Sequence, residues 1–207
     1  MKSSIYTVGL TGGIGSGKST LAAMLERRGA AIYSADTQAK SLMNTDPELR
    51  AALTALLGAQ AYTGAGELNR AYLSGRIFAD PDLLARVDAL VHPAVYQDFE
   101  HWRLCAEAPY VVLESAILFE SGGQTRCDTT VAVCIPQDIR VRRAAARDGV
   151  SAERILERMS RQMSDQQRAL RADIVVRAVD FEEKEREADR LDALFRKGGQ
   201  SPFLREG

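Results

Sequence analysis

Between an apolar run, Ile5 to Leu10, and a helix-forming one, Leu21 to Leu25, the chain carries Gly12-Gly13-Ile14-Gly15-Ser16-Gly17-Lys18-Ser19-Thr20. Gly12, four residues, then Gly17-Lys18-Ser19 is the spacing of a P-loop, and a strand before it with a helix after it is the context that loop needs. The glycines let the backbone curl until several N–H groups point into one concavity. The helix start adds its positive dipole end, so a polyphosphate is held without a cage of side chains. On this pattern Gly12 to Thr20 bind a nucleoside polyphosphate, which the kinase reading below makes ATP; the Lys18 ammonium reaches the β- and γ-phosphates, and the Ser19 hydroxyl holds Mg²⁺. The alternative is a glycine-rich turn that only closes a strand–helix unit, and the full pattern in its context speaks against it.

The elements that position these groups read as an alternation of strands and helices. Ile5 to Leu10 is the first strand, and Ser19 to Arg28 the helix that crosses back and ends at Gly29. Ala30 to Ser34 is a second strand leading into Ala35-Asp36. A carboxylate at the carboxyl end of a strand beside the P-loop strand lies at the mouth of an open α/β sheet, where ligands bind, which makes Asp36 the first candidate for chemistry. From residue 37 to 108 strand signals vanish. Apolar residues recur at helical spacing (Leu49, Leu53, Leu57; Leu83, Val87, Leu90, Val91), with turn punctuation at Asp46-Pro47, Gly64-Ala65-Gly66 and Asp80-Pro81. A helical block of this length is an inserted acceptor subdomain rather than a crossover. Within it, His92-Pro93 reads as a helix start, where the missing proline N–H costs nothing.

Strand character returns at Tyr110 to Glu114, again at Thr129 to Ile135, and last at Ala172 to Val176, before a charged helix from Phe181 to Lys197. Glu114 and Glu120 follow a central strand and are candidates for the metal or acceptor side, a salt-bridged carboxylate being the alternative. Between Arg140 and Arg171 the chain has nine arginines and four acids. Arg140, Arg143 and Arg147, then Arg154, Arg158 and Arg161, fall at helical spacing on two helices broken at Asp148-Gly149, so that each presents an arginine stripe. With a polyphosphate site elsewhere in the chain, such a basic hairpin reads as a lid closing over phosphate, in preference to a solvated face or an RNA-binding patch. The expected architecture is therefore an α/β, P-loop NTPase-type three-layer fold on a parallel sheet. Its nucleotide-binding core comprises residues 1–36, 109–137 and 169–207, with a helical acceptor subdomain at 37–108 and a lid at 138–168.

A formal net charge of −1 over 207 residues argues against a general nucleic-acid coat or a polybasic membrane binder. Three cysteines without metal-ligand spacing imply neither a disulfide framework nor a zinc site. No apolar run reaches membrane-spanning length, and the expected location is the cytoplasm. The sequence fixes no oligomeric state. A guanine-reading Asn-Lys-x-Asp is absent, which disfavours a GTP switch. What remains is a kinase acting on a small acceptor.

At this point the residues resemble the dephospho-CoA kinase family. The resemblance rests on Gly9 to Ser19, Ala35-Asp36, Leu68-Asn69-Arg70, Phe78-Ala79-Asp80-Pro81, Val91-His92-Pro93-Ala94-Val95, Leu118-Phe119-Glu120, Arg143 with Arg147, Arg158 with Gln162, and Ala172-Asp173. It implies transfer of the ATP γ-phosphate to the ribose 3′-hydroxyl of dephospho-CoA, the last step of coenzyme A synthesis. Asp36 would accept or orient the hydroxyl proton or contact the metal. Arg143 and Arg147 would stabilise charge on the moving phosphoryl group, and Arg70, His92, Glu120 and Arg158 would serve the acceptor. The chain departs from the family pattern at Ser34, where an aspartate is common, at Ala116-Ile117, where Pro-Leu is usual, and at Arg177, where asparagine is usual. A kinase for a nucleotide, nucleoside or shikimate-like acid is the rival within the same fold, and a non-catalytic nucleotide-gated or RNA-binding protein the rival outside it.

Overall fold

The computed structural model describes residues 5–199. Residues 1–4 and 200–207, assigned above to the nucleotide-binding core, lie outside the described residues. The order is β1 (Thr7–Gly12), α1 (Lys18–Arg27), β2 (Ala31–Ser34), α2 (Ala35–Thr45), α3 (Pro47–Leu57), α4 (Arg70–Ala79), α5 (Pro81–Cys105), β3 (Val111–Glu114), β4 (Thr129–Val133), α6 (Gln137–Asp148), α7 (Ala152–Met159), α8 (Asp165–Arg171), β5 (Ile174–Val176) and α9 (Phe181–Phe195). The chain divides into two compact units. One runs through Ser34 and resumes at Arg103; the other is helical and spans Ala35–Trp102.

The first unit is built on a five-stranded sheet, all parallel, in the order β2-β3-β1-β4-β5. Every residue of β1 is buried, as the central strand of a parallel sheet must be. Val8 and Leu10 of β1, Val112 of β3, Val131 and Val133 of β4, and Ile174 and Val176 of β5 join Leu21, Met24 and Leu25 of α1 and Ala188, Leu191 and Phe195 of α9 in one core. The apolar spacing of α1 and α9 thus exists to cover the sheet.

The strand order corrects one expectation. β2 does not neighbour the P-loop strand: β3 lies between them, paired with β1 from Thr7↔Val111 to Leu10↔Glu114 and with β2 from Ala31↔Val111 to Ser34↔Glu114. Two crossovers, one through α1 and one through the long helical segment, place β2 outermost. The carboxylate that ends the strand beside the P-loop strand is therefore Glu114, and Asp36 is the second residue of α2, two positions beyond the end of β2.

In the second unit, α3 is capped by Asp46, whose side chain accepts the Leu49 N–H at 2.8 Å, and buries Leu49, Leu53 and Leu57. Arg50 stacks 4.2 Å from the Tyr62 ring centroid and donates to Asn44 O and Gly66 O. The second correction concerns Pro93, which lies inside the 25-residue α5 rather than at a helix start. A proline in a helix interior costs about 3 kcal/mol. Val87 and Val91 before it, and Val95, Tyr96 and Phe99 after it, are all buried on one side of α5, and burial at about 1.5–3 kcal/mol per large apolar side chain outweighs the lost hydrogen bond.

The cysteines are free thiols: Cys105 is exposed, Cys127 half-buried and Cys134 buried. Burial pushes the Cys127 thiol up to about 12 and the Cys134 thiol to about 11. A thiol reagent at pH 8 is therefore expected to label one cysteine, Cys105, rapidly in the native protein and all three after unfolding. Rapid native labelling of two or more would contradict this packing.

Candidate active site

The loop after β1 tightens through a Ser16 N–H bond to Gly13 O at 3.0 Å. Gly15 (φ 77°) and Gly17 (φ 87°) hold left-handed backbone that a side chain would strain. Gly17 is the N-cap of α1, so the helix opens directly onto the loop. At that mouth Lys18 Nζ lies 2.6 Å from Glu114 Oε1, and Ser19 Oγ donates to the same oxygen at 2.7 Å. The pair is nearly dry, with 10% and 7% of the two side chains exposed. Burial pushes the Glu114 carboxyl up, but the Lys18 charge and hydrogen bonds from Lys18, Ser19 and Ser34 outweigh it and hold the group below its ordinary range. Sequence reasoning raised Glu114 without assigning it a partner. The sheet order is what supplies one.

A second ionic cluster backs the loop. Arg140 and Arg168 are buried, at 8% and 1% exposure. Arg140 Nε is 3.4 Å from Asp165 Oδ2, Arg168 Nη1 is 3.1 Å from Asp165 Oδ1, and Arg168 Nη2 is 3.7 Å from Glu120 Oε1. A Cβ at Gly13 would collide with the Arg140 guanidinium and sit 3.0 Å from that of Arg168, and one at Gly15 would strike the Arg140 carbonyl. Arg140 therefore belongs to the floor of the loop and not to an outward stripe on α6, because the same face of α6 carries the buried Ala144 into the core. Arg140 Nε and Arg168 Nε and Nη2 make no hydrogen bond with any described residue. The signal available in sequence was Asp165 three residues before Arg168, the i, i+3 spacing of a helical ion pair. Glu120 is engaged here as well: its Oε1 accepts the Met163 N–H at 3.1 Å.

The other arginines of this region stand outside that floor. α6 ends at Gly149 and α7 begins after Ser151, forming the short-turned hairpin. Arg143 donates to Val179 O at 2.6 Å. Arg147 Nε and Arg158 Nη1 converge on Asp148 at 2.7 and 2.6 Å, which draws the Asp148 carboxyl down to about 2. Beyond α7, Gln162 Oε1 accepts the Ile14 N–H of the loop at 3.1 Å. A backbone donor that a phosphate oxygen could use is thus engaged by a side-chain amide.

In the helical unit Asp36 is exposed in the first turn of α2. Arg70 is the first residue of α4, exposed, and set by Asn69, whose side chain accepts the Tyr72 N–H at 3.1 Å. His92 is half-buried, with Nε2 3.8 Å from Asp88 Oδ1 one turn earlier. Among the described residues no group of three or more His, Cys, Asp or Glu side chains could hold a metal by itself, and no helix is long and apolar enough to cross a membrane.

The chain as a whole is similar to known proteins in sequence and in fold. A Porphyromonas gingivalis dephospho-CoA kinase is 45% identical over 162 residues, covering 78% of this chain and 80% of that one. A solved Thermus thermophilus structure superposes with a TM-score of 0.80 at 34% identity, covering 94% of this chain and 98% of that one. The Campylobacter jejuni dephospho-CoA kinase shares the fold with a TM-score of 0.69 at 19% identity, covering 94% and 98%. The family model described as dephospho-CoA kinase matches residues 6–182, from the start of the sheet into α9, and with relatives this similar over most of its length the chain belongs to the dephospho-CoA kinase family.

Proposed function

We propose that the chain transfers the γ-phosphate of ATP to the ribose 3′-hydroxyl of dephospho-CoA, with residues 37–108 receiving the acceptor and 138–168 acting as the lid. The observation that carries this is the convergence of Lys18 Nζ and Ser19 Oγ on Glu114 Oε1 at the loop mouth. An ammonium, a hydroxyl and a carboxylate gathered at the loop mouth suit a nucleotide's terminal phosphates and a hard cation, which supports this reading. Backbone N–H groups from Gly12 to Ser19 cradle the polyphosphate, and Lys18 exchanges Glu114 for phosphate oxygens when nucleotide arrives.

Mg²⁺ fits these residues. It takes one or two protein oxygens and fills its remaining positions with water and phosphate, and the Ser19 hydroxyl and the Glu114 carboxylate are two adjacent oxygens of that kind. When bound, the ion neutralises charge on the transferring phosphoryl group. Arg143 and Arg147 add positive charge from the lid. Asp36 orients the acceptor hydroxyl or takes its proton; in a loose transition state positioning counts for more than base strength. Arg70, His92, Glu120 and Arg158 belong to the acceptor side. Arg140 and Arg168, paired with Asp165 and Glu120, back the loop at Gly13.

The test is ADP release with Mg-ATP and dephospho-CoA beside AMP, CMP and shikimate. Turnover confined to dephospho-CoA is expected; turnover with another acceptor would keep the kinase fold and remove the substrate assignment.

A further inference from the structure

Lys184 lies in a run, Glu182-Glu183-Lys184-Glu185, that reads as a solvated helix face, yet it is buried at 3% exposure. It occupies the core side of α9: Ala188, Leu191 and Phe195 follow it at four, seven and eleven residues and are fully buried. A cation at a core position is costly unless an anion meets it. The local acids are committed elsewhere. Asp180 caps α9 by accepting the Glu183 N–H, and Glu183 accepts the Val179 and Asp180 N–H groups. Glu185 pairs with Arg27 and Arg28 at 2.6 Å each. No hydrogen bond or ion pair joins the Lys184 ammonium to any described residue.

Its ammonium comes up against the phosphate loop. A Cβ at Gly17 would lie 2.5 Å from Lys184 Nζ and 3.9 Å from Arg143 Nη1. Two cations therefore converge on the residue that caps α1, where the helix presents its own positive end. Burial, with Arg143 adding to it, pulls the Lys184 ammonium below its ordinary range against a smaller opposing pull from Asp180. Three positive features facing one point, with no acid bonded to the ammonium, make an anion site.

We propose that Lys184 is a nucleotide-binding residue, its ammonium contacting the phosphates of ATP and ADP at the Gly17 end of the loop. It completes from α9 the cradle that the loop and the lid build from their own sides. This deepens the nucleotide site proposed above and is independent of the acceptor's identity, so it is read without acceptor.

The experiment compares Lys184→Met and Lys184→Arg with the parent protein, measuring ADP affinity by calorimetry and the thermal midpoint without nucleotide. Methionine keeps the apolar stem and removes the charge. It is expected to weaken ADP about tenfold, the size of one charge-assisted hydrogen bond, while the unliganded midpoint holds or rises because an unpaired buried charge is gone. Arginine is expected to recover part of the affinity. A methionine variant binding ADP within twofold of the parent overturns the proposal. If the midpoint falls with the affinity, arginine decides: recovery supports a charge contact, and equal loss in both variants marks a packing role and overturns it. A parent protein that binds no ADP overturns this proposal together with the nucleotide site.

Discussion

Glu114→Ala is expected to lower the unfolding free energy by about 3 kcal/mol, because it strands the Lys18 ammonium in a nearly dry site. Removing both partners tells a different story. Lys18→Met/Glu114→Leu leaves no uncompensated charge and is expected to recover most of that stability while turnover is lost. Denaturant titration of the two variants at pH 7 separates the cases; a single-variant loss below about 1 kcal/mol would mean that Lys18 finds water or another acid. The same pair sets an acid dependence. The folded-state Glu114 carboxyl is held below its ordinary value of 4.5. Its contribution is therefore complete above that value and is lost as pH falls through the lowered one. Glu114→Gln is expected to flatten the acid limb of the stability curve, and an unchanged limb would assign acid sensitivity to other carboxylates.

Asp36→Asn is expected to cut kcat by about a thousandfold, in the range of a positioned acid–base group, while ADP affinity stays within twofold. The division follows from where the residue sits. Asp36 belongs to the helical unit, whereas the loop, Glu114 and the buried arginines belong to the sheet unit. Loss of ADP binding in the variant would move Asp36 from acceptor chemistry to the nucleotide or metal side.

The P-loop was legible because phosphate binding dictates both residue type and spacing over a short stretch. The strands were legible as apolar runs: β4 begins at Thr129 as read, and the other four are displaced by one or two residues at their starts, β1 beginning at Thr7 where the apolar run suggested Ile5 and β5 at Ile174 where it suggested Ala172. Strand order was not legible, since it is decided by how each crossover returns to the sheet, and that is why Asp36 seemed to adjoin the P-loop strand while Glu114 lacked its partner. Arg140, Arg168 and Lys184 were hidden for a different reason. Their residue type announces solvent, and only the close approach of α6, α8 and α9 to the loop glycines shows that they face inward. Pro93 misled because proline marks helix ends by local rules, which the long buried face of α5 overrides.

The position of β1 also sets the order of assembly. Its partners β3 and β4 begin at Val111 and Thr129, so the phosphate loop is made well before the strands that flank it. Pairings this distant along the chain form slowly and leave apolar surface open meanwhile. A nascent chain ending before Val111 has β1 without a sheet, Lys18 without a carboxylate and Gly13 without its arginine floor. Nucleotide is consequently expected to leave the early steps of folding unchanged. Its stabilising effect is expected once the sheet has closed, and a chain that has not yet made α9 still lacks Ala188, Leu191 and Phe195 from its core.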